Sequence, residues 1–230
     1  MITSYSPLLI SLKTSCLATV IAFFVGIYAA YIVARMKHFQ GVLDAVLTLP
    51  LVLPPTVVGF LLLIVFGKNS PIGQMLMKFG YSLVFSWEAT VLAAVVVAFP
   101  LMYRTTRGAF EQIDKNIIYA ARTLGISEYK IFWHVIIPNT KHGLIAGVIL
   151  AFTRALGEFG ATIMVAGNIP GITQTISTAI YSAVQAGDDS AAAFWVEIII
   201  GFSFIVIVMM NFWLKYSENN KIKSPAENGA

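Results

Sequence analysis

The sequence is short of cysteine and of charge. A single cysteine, Cys16, stands among 230 residues, and only 11% of the residues are charged. One thiol rules out a disulfide framework or a cysteine-built metal cluster within one chain. Cys16 lies in an uncharged apolar block, where it reads as a small residue facing lipid or another helix. So little charge cannot clothe a water-soluble domain of this length. No G-x-x-x-x-G-K-[ST] loop is present, so the chain has no cradle of its own for nucleotide phosphates. There is no G-x-S-x-G elbow, and no second catalytic partner is visible for Glu158 or Glu197. His38, His134 and His142 show no H-E-x-x-H or paired-ligand spacing, which argues against a metal site. No internal repeat with a period of roughly 20–50 residues is found.

What the chain does have is apolar residue in long blocks. Hydrophobic residues make up 58% of it. Five blocks read as spans: Thr14 to Ala34, Ala45 to Gly67, Leu83 to Tyr103, Gly143 to Gly167 and Ala191 to Leu214. Each is near the roughly 20 residues with which a helix crosses a bilayer core. The first is not expected to be a cleaved signal. It is long for one, lacks an A-x-A site, and has Arg35 and Lys37 behind it rather than in front.

The net charge is +4, but the basic residues flank apolar blocks and form no aromatic-interleaved patch, so nucleic acid is not an expected partner. Connections after the first, third and fifth blocks hold eleven Lys and Arg, from Arg35 to Lys223, against three (Lys13, Lys68, Lys78) on the other side. The positive-inside rule then predicts an external N-terminus and a cytoplasmic C-terminus. The stretch from Tyr216 to Ala230 is polar and is expected to be a disordered cytoplasmic tail behind a membrane domain of residues 1–215. Asp188 and Asp189, ahead of the fifth block, read as a solvated turn or a helix cap.

The loop from Arg104 to His142 is long for a connector. Ile113 to Leu124 has helix-forming composition, and Gly125 punctuates it as a left-handed C-cap glycine would. Ser127 is an expected N-cap for a second short helix from Glu128 to about Val135, ending before Pro138. That helix carries Tyr129, Ile131, Phe132, Trp133 and Val135. Two readings stand: a helix lying on the membrane interface, or a docking helix for a groove on another protein.

Tyr119-Ala120-Ala121-Arg122-Thr123-Leu124-Gly125, then nine residues, then Val135-Ile136-Ile137-Pro138, resembles the EAA loop of ABC-importer permeases. Ala120, Ala121, Gly125 and Pro138 match that pattern, whereas Tyr119 stands where the family usually has Glu. Two further runs resemble the molybdate permease group, with relatives among sulfate and tungstate permeases. They are Leu49-Pro50-Leu51-Val52-Leu53-Pro54-Pro55 with Gly59, and Arg154 to Gly171 continuing to Tyr181.

The resemblance implies an all-α polytopic protein of the MetI-like, type I importer kind, with five transmembrane helices in a bacterial inner membrane. It implies a coupling segment, about residues 113–142, pressed into a separate ATPase through Ala120, Ala121, Gly125, Ser127, Glu128, Tyr129, Phe132, Trp133 and Pro138. It further implies a homodimer, two copies of the ATPase that alone bind ATP and magnesium, and an external oxyanion-binding protein. No cofactor would be bound by this chain. The transported ion would be molybdate, a tetrahedral dianion that spacing and charge do not separate from sulfate or tungstate. A passive anion channel is the rival from another class, and would need no ATPase.

Pro50, Pro54, Pro55, Arg154, Gly157, Glu158 and Gly160 are candidates for the translocation path. Prolines free backbone carbonyls, so the second crossing is expected to be a kinked helix beside a path, a gate or simply a packing kink. Arg154 and Glu158 at i and i+4 share one helix face, with Arg154 expected near the midplane. They read as a structural ion pair or as charge along an anion path. Gly157, Gly160 and Ala161 keep that stretch small, for close helix approach or for a passage.

Overall fold

The computed structural model describes residues 5–36 and 38–223, and the elements within them are helical. Four helices are long and apolar enough to cross a membrane: α1 (Ser6–Arg35), α5 (Trp87–Glu111), the unit Glu128–Leu156, and α11 (Asp189–Lys223) over Asp189–Met209. A fifth crossing is available only as a bent pair, α2 (Gln40–Val52) and α3 (Pro55–Phe66), whose axes meet at 111°. Short helices complete the chain: α4 (Pro71–Lys78), α6 (Lys115–Thr123), α7 (Glu128–Ile131), α9 (Gly160–Val165) and α10 (Ile176–Gln185). A π-helical turn, Phe132–Ile136, joins α7 to α8 (Ile137–Leu156).

The core is α5 held between α1 and α8. Lipid offers no hydrophobic drive to bring helices together, so small residues must let backbones approach. The inward face of α1 supplies Ser11, Ser15, Ala18, Ala22, Gly26 and Ala30, and that of α5 supplies Ala89, Ala93, Ala94 and Ala98. Met102, fully buried, is wedged between two glycines. A Cβ on Gly26 would lie 2.9 Å from its Cγ, and one on Gly147 of α8 would lie 2.9 Å from its Sδ. Hydroxyls tie the same interface where Thr14 meets Thr90 at 3.1 Å and Trp87 Nε1 donates to Thr14 at 2.9 Å.

Large apolar side chains face outward, as a lipid-facing surface requires; Phe24, Phe60 and Phe204 are examples. Cys16 is exposed on α1. Asp188 caps α11, accepting from the Ala191 N–H at 3.0 Å and from Ser190 Oγ at 2.7 Å. Those bonds hold its carboxyl below the usual aspartate range.

Three expectations need correction. The second crossing is not one kinked helix. Pro50 is accommodated inside α2, whereas Pro54 and Pro55 stop it and restart the chain as α3. Pro55 falls in the first turn of α3, where a missing N–H costs nothing. The fourth crossing is shifted toward the N-terminus: the helix ends at Leu156, Gly157 caps it, and α9 begins only at Gly160. Arg154 therefore stands in the last turn of α8, not mid-helix, and Glu158 lies beyond the helix end. Finally, α11 continues to Lys223, into the stretch expected to be a disordered tail; residues 224–230 lie outside the described residues.

The bent pair is anchored by α9. Gly59 of α3 approaches it so closely that a Cβ would lie 2.7–2.9 Å from Met164 and the Ala161 backbone, and Gly160 sits against Pro55 and Thr56 in the same way. Gly59→Val should therefore lower the thermal midpoint of the detergent-purified chain, by about 1–3 kcal/mol of overpacking. Gly41→Ala, at a helical position with nothing within 4 Å, should leave the midpoint unchanged or raise it slightly.

Candidate functional site: a helical coupling segment and a broken crossing

Ends of the bundle are told apart by their contacts. Arg35 closing α1, Asp44 near the start of α2, Arg107 near the end of α5, and Glu128 opening α7 lie at one end, which carries most of the basic residues. The segment leaving α5 there folds as two short helices. Asp114 caps α6 through the Asn116 N–H at 2.9 Å. At the far end of α6 the Gly125 N–H bonds Arg122 O at 2.9 Å and the Ile126 N–H bonds Ala121 O at 3.1 Å. This pair of bonds is a Schellman motif, and it needs Gly125 in the left-handed region, where its φ is 73°. The sequence reading of this glycine stands.

Ser127 occupies the N-cap position of α7 but its side chain makes no capping bond. The expected end of this helix before Pro138 is wrong. The π turn carries the chain through, with the Ile137 N–H reaching Phe132 O, so Pro138 enters in the first turn of α8. Side chains cover carbonyls around the proline: Asn139 Nδ2 donates to Val135 O at 2.7 Å and Thr140 Oγ1 to Ile136 O at 2.9 Å. The carbonyl that Pro138 leaves without its i−4 donor is that of His134, so these two side-chain bonds do not replace the missing one but engage the carbonyls one and two residues further on.

Within the segment, Ala121, Ile131 and Ile136 are buried together against Tyr31, Phe110, Ile118 and Phe132. Ala120 faces out, as do Leu124 (78% exposed), Tyr129 (73%) and Trp133 (48%). Glu128 fastens the segment to the bundle. One of its oxygens pairs with Arg35 and the other accepts from Arg122 Nε at 2.7 Å. The hydrogen bond that Arg122 donates to Glu128 also raises the pKa of Arg122. Arg35 lies over the Tyr31 ring at 4.0 Å and Arg122 over Tyr119 at 5.9 Å. Tyr119 thus meets Arg122 with a ring face where the EAA pattern has a carboxylate. Behind the segment a cleft of about 440 Å³ opens between Arg35, Gln40, Lys115 and Tyr119.

The second group of residues lies at the broken end of α8. Arg154 Nη1 pairs with Glu158 Oε2 at 2.7 Å, and Glu158 Oε1 accepts the Ala161 N–H at 2.8 Å. Glu158 is 2% exposed. One carboxylate therefore neutralises a cation and caps the start of α9, which suits a structural pair. Pro55 and Gly160 are brought together, whereas Pro50 sits within α2, whose packing is against α1 and α5. Gly157 is exposed. Sequence reasoning missed the set Asp44, Tyr103 and Arg107; the Arg107–Glu111 spacing of i and i+4 was the available signal, while the long-range partner Asp44 left none.

Chain and geometry define an inner-membrane transport component. Residues 22–219 match the family of binding-protein-dependent transport system inner membrane components, and the chain belongs to that family. It is thus a permease subunit of an ABC transport system, a transport component and not an enzyme. It is 45% identical over 214 residues to the molybdenum transport system permease protein ModB of Escherichia coli, covering 91% of this chain and 93% of that one. With ModB of Haemophilus influenzae the identity is 41% over 203 residues, covering 86% and 87%. Among solved structures, an inward-facing MetNI methionine ABC transporter has the same fold, with a TM-score of 0.72 over 91% of this chain and 94% of that chain at 14% identity. A bacterial alginate ABC transporter in complex with a pentasaccharide-bound periplasmic protein aligns with a TM-score of 0.74, 14% identity, and coverage of 91% and 78%.

Arg154→Met would leave a buried carboxylate without its cation, and should destabilise the chain by about 1–3 kcal/mol in detergent unfolding. Adding Glu158→Gln should recover much of that loss, because the amide oxygen can still accept from the Ala161 N–H. Equal instability of the single and double variants would show that the pair does not act as a unit.

Proposed function

We propose that this chain is the permease subunit of a molybdate importer, and that α6 and α7 are the surface through which a separate ATPase drives it. The carrying observation is the segment's architecture. Two short helices are set at a fixed angle by the Gly125 motif, bolted to α1 by Glu128, and present Leu124, Tyr129 and Trp133 to the outside. Tyr129 and Trp133 line an apolar groove with Phe24 and Tyr28 of α1, whereas Leu124 stands off that groove beside the Gly125 turn, and an apolar side chain held out by a rigid turn is what a helix for a partner's groove presents. The assignment of the anion rests on the similarity to the molybdenum permeases.

In this reading the basic end is cytoplasmic, as the eleven-to-three distribution of Lys and Arg supports, with the N-terminus external. Two copies pair around a central path, two ATPase subunits bind ATP and magnesium, and an external binding protein delivers the oxyanion. ATP-driven closure of the ATPases moves α6 and α7. The bundle shifts between inward- and outward-facing states whose balance nucleotide biases. Pro54, Pro55 and Gly160, where backbone is broken and tightly packed, form the part of the path wall best suited to move, while Arg154 and Glu158 hold the shape of that wall.

Reconstituted with its ATPase and binding protein in vesicles, the chain should accumulate molybdate only with ATP present. Sulfate competing on equal terms would overturn the choice of anion, and anion flux without ATPase or ATP would overturn the importer. Gly125→Val forces a β-branched residue into the left-handed region and should misdirect α7. ATP hydrolysis should persist while uptake per ATP falls roughly tenfold; wild-type coupling in that variant would remove the turn from the mechanism.

A further inference from the structure

The helix α2 is loosely held. None of its residues is buried, and the apolar side chains that it packs against Ala30, Val33 and Tyr103 are Leu43 and Leu47, with Asp44 between them. Asp44 makes the polar attachment. Arg107 Nη1 of α5 reaches Asp44 Oδ1 at 2.5 Å, and the fully buried Tyr103 donates its hydroxyl to the same oxygen at 3.0 Å. Arg107 is steadied from behind by Glu111, whose Oε1 accepts from Nε at 2.8 Å, and donates to the Tyr103 hydroxyl at 3.3 Å. Arg107 is 18% exposed and Asp44 34%, so the attraction is only partly screened by solvent.

Position gives this network its meaning. Glu111 ends α5 and Arg107 stands one turn before it, and α6 begins at Lys115. Any displacement of α6 reaches that turn across three residues, Gln112 to Asp114. On the other side, α2 leads directly to the 111° bend and to α3, which is locked on α9 by Gly59 and Gly160. We infer that the Arg107–Asp44 pair is a transmission link: it makes α2, and with it the broken crossing, follow the end of α5 that the coupling segment moves. Arg107 and Asp44 are positioning residues, since they act through α2 and touch no anion in this role. The inference rests on the importer reading and deepens it. A chain of contacts alone is no proof of coupling, so the test must read coupling itself.

The measurement is molybdate accumulated per ATP hydrolysed, in vesicles holding the complete complex of permease, ATPase and binding protein. Asp44→Asn and Arg107→Gln should each hydrolyse ATP while that ratio falls roughly tenfold. Glu111→Gln, which leaves the Asp44 contact in place, should stay within about twofold of wild type. A purely structural role would lower assembled complex and both activities together, without changing the ratio, and would overturn the link. Joining Cys residues placed at 44 and 107, in a Cys16→Ser background, with a short bifunctional maleimide should restore the ratio, because a covalent bond replaces the ion pair. A crosslink that blocks uptake would mean that the two helices must separate, and would also overturn it. Wild-type vesicles that hydrolyse ATP without accumulating molybdate would instead remove the importer reading, and the link with it.

Discussion

The whole structure answers to one constraint: within hydrocarbon each backbone N–H and C=O needs a partner from the protein itself. Uninterrupted helices meet it at no further cost, and α1 and the apolar part of α11 are of that kind, whereas α5 carries Pro100 in its interior. The chain departs from helix only where something else supplies the bonds. At the Glu158 break, the carboxylate takes the freed Ala161 N–H. At the π turn, Asn139 and Thr140 cover two carbonyls ahead of the α8 body. At the α2–α3 bend, a proline needing no acceptor begins the new helix. Irregularity is thus concentrated where polar side chains or prolines make it affordable, and those are the places where a transporter can bend.

Close approach is the second theme, and it follows from the first. With no water to expel between helices, contact must come from shape. The Met102 wedge between Gly26 and Gly147 fixes three helices at one level, and the Gly59–Ala161 crossing fixes α3 to α9. Between these two rigid knots lies α2, attached by two leucines and one ion pair. The contrast divides the molecule into a firm three-helix core and a suspended limb, and the α6–α7 segment sits at the junction.

Much of this was legible from residue order. Apolar blocks marked the four long spans and left the fifth to a bent pair, and Gly125 announced its turn because a left-handed residue at a helix end favours glycine so strongly. Boundaries were less legible. Hydropathy continues past Leu156, so the break at Gly157 was hidden among apolar residues on both sides. Pro138 reads as a stop by local rules, but the π turn accommodates it, and such a turn has no composition of its own. The double engagement of Glu128 joins residues 93 positions apart, and no local pattern carries that information.

The π turn also sets the phase of everything after it. Along the unit from α7 through α8 the inward positions are Ile131, Ile136, Thr140, Leu144, Gly147, Ala151 and Ala155. Steps of three or four hold throughout except for the first, which is five and falls within the turn. The segment therefore contains one residue more than an ordinary helix would use to bring both stretches to the same side. Length is locked here as firmly as composition: removing a single residue between Phe132 and Ile136 would swing the aromatic surface about 100° around the axis relative to the core. Drift in this stretch is thus open to substitution and closed to insertion or deletion.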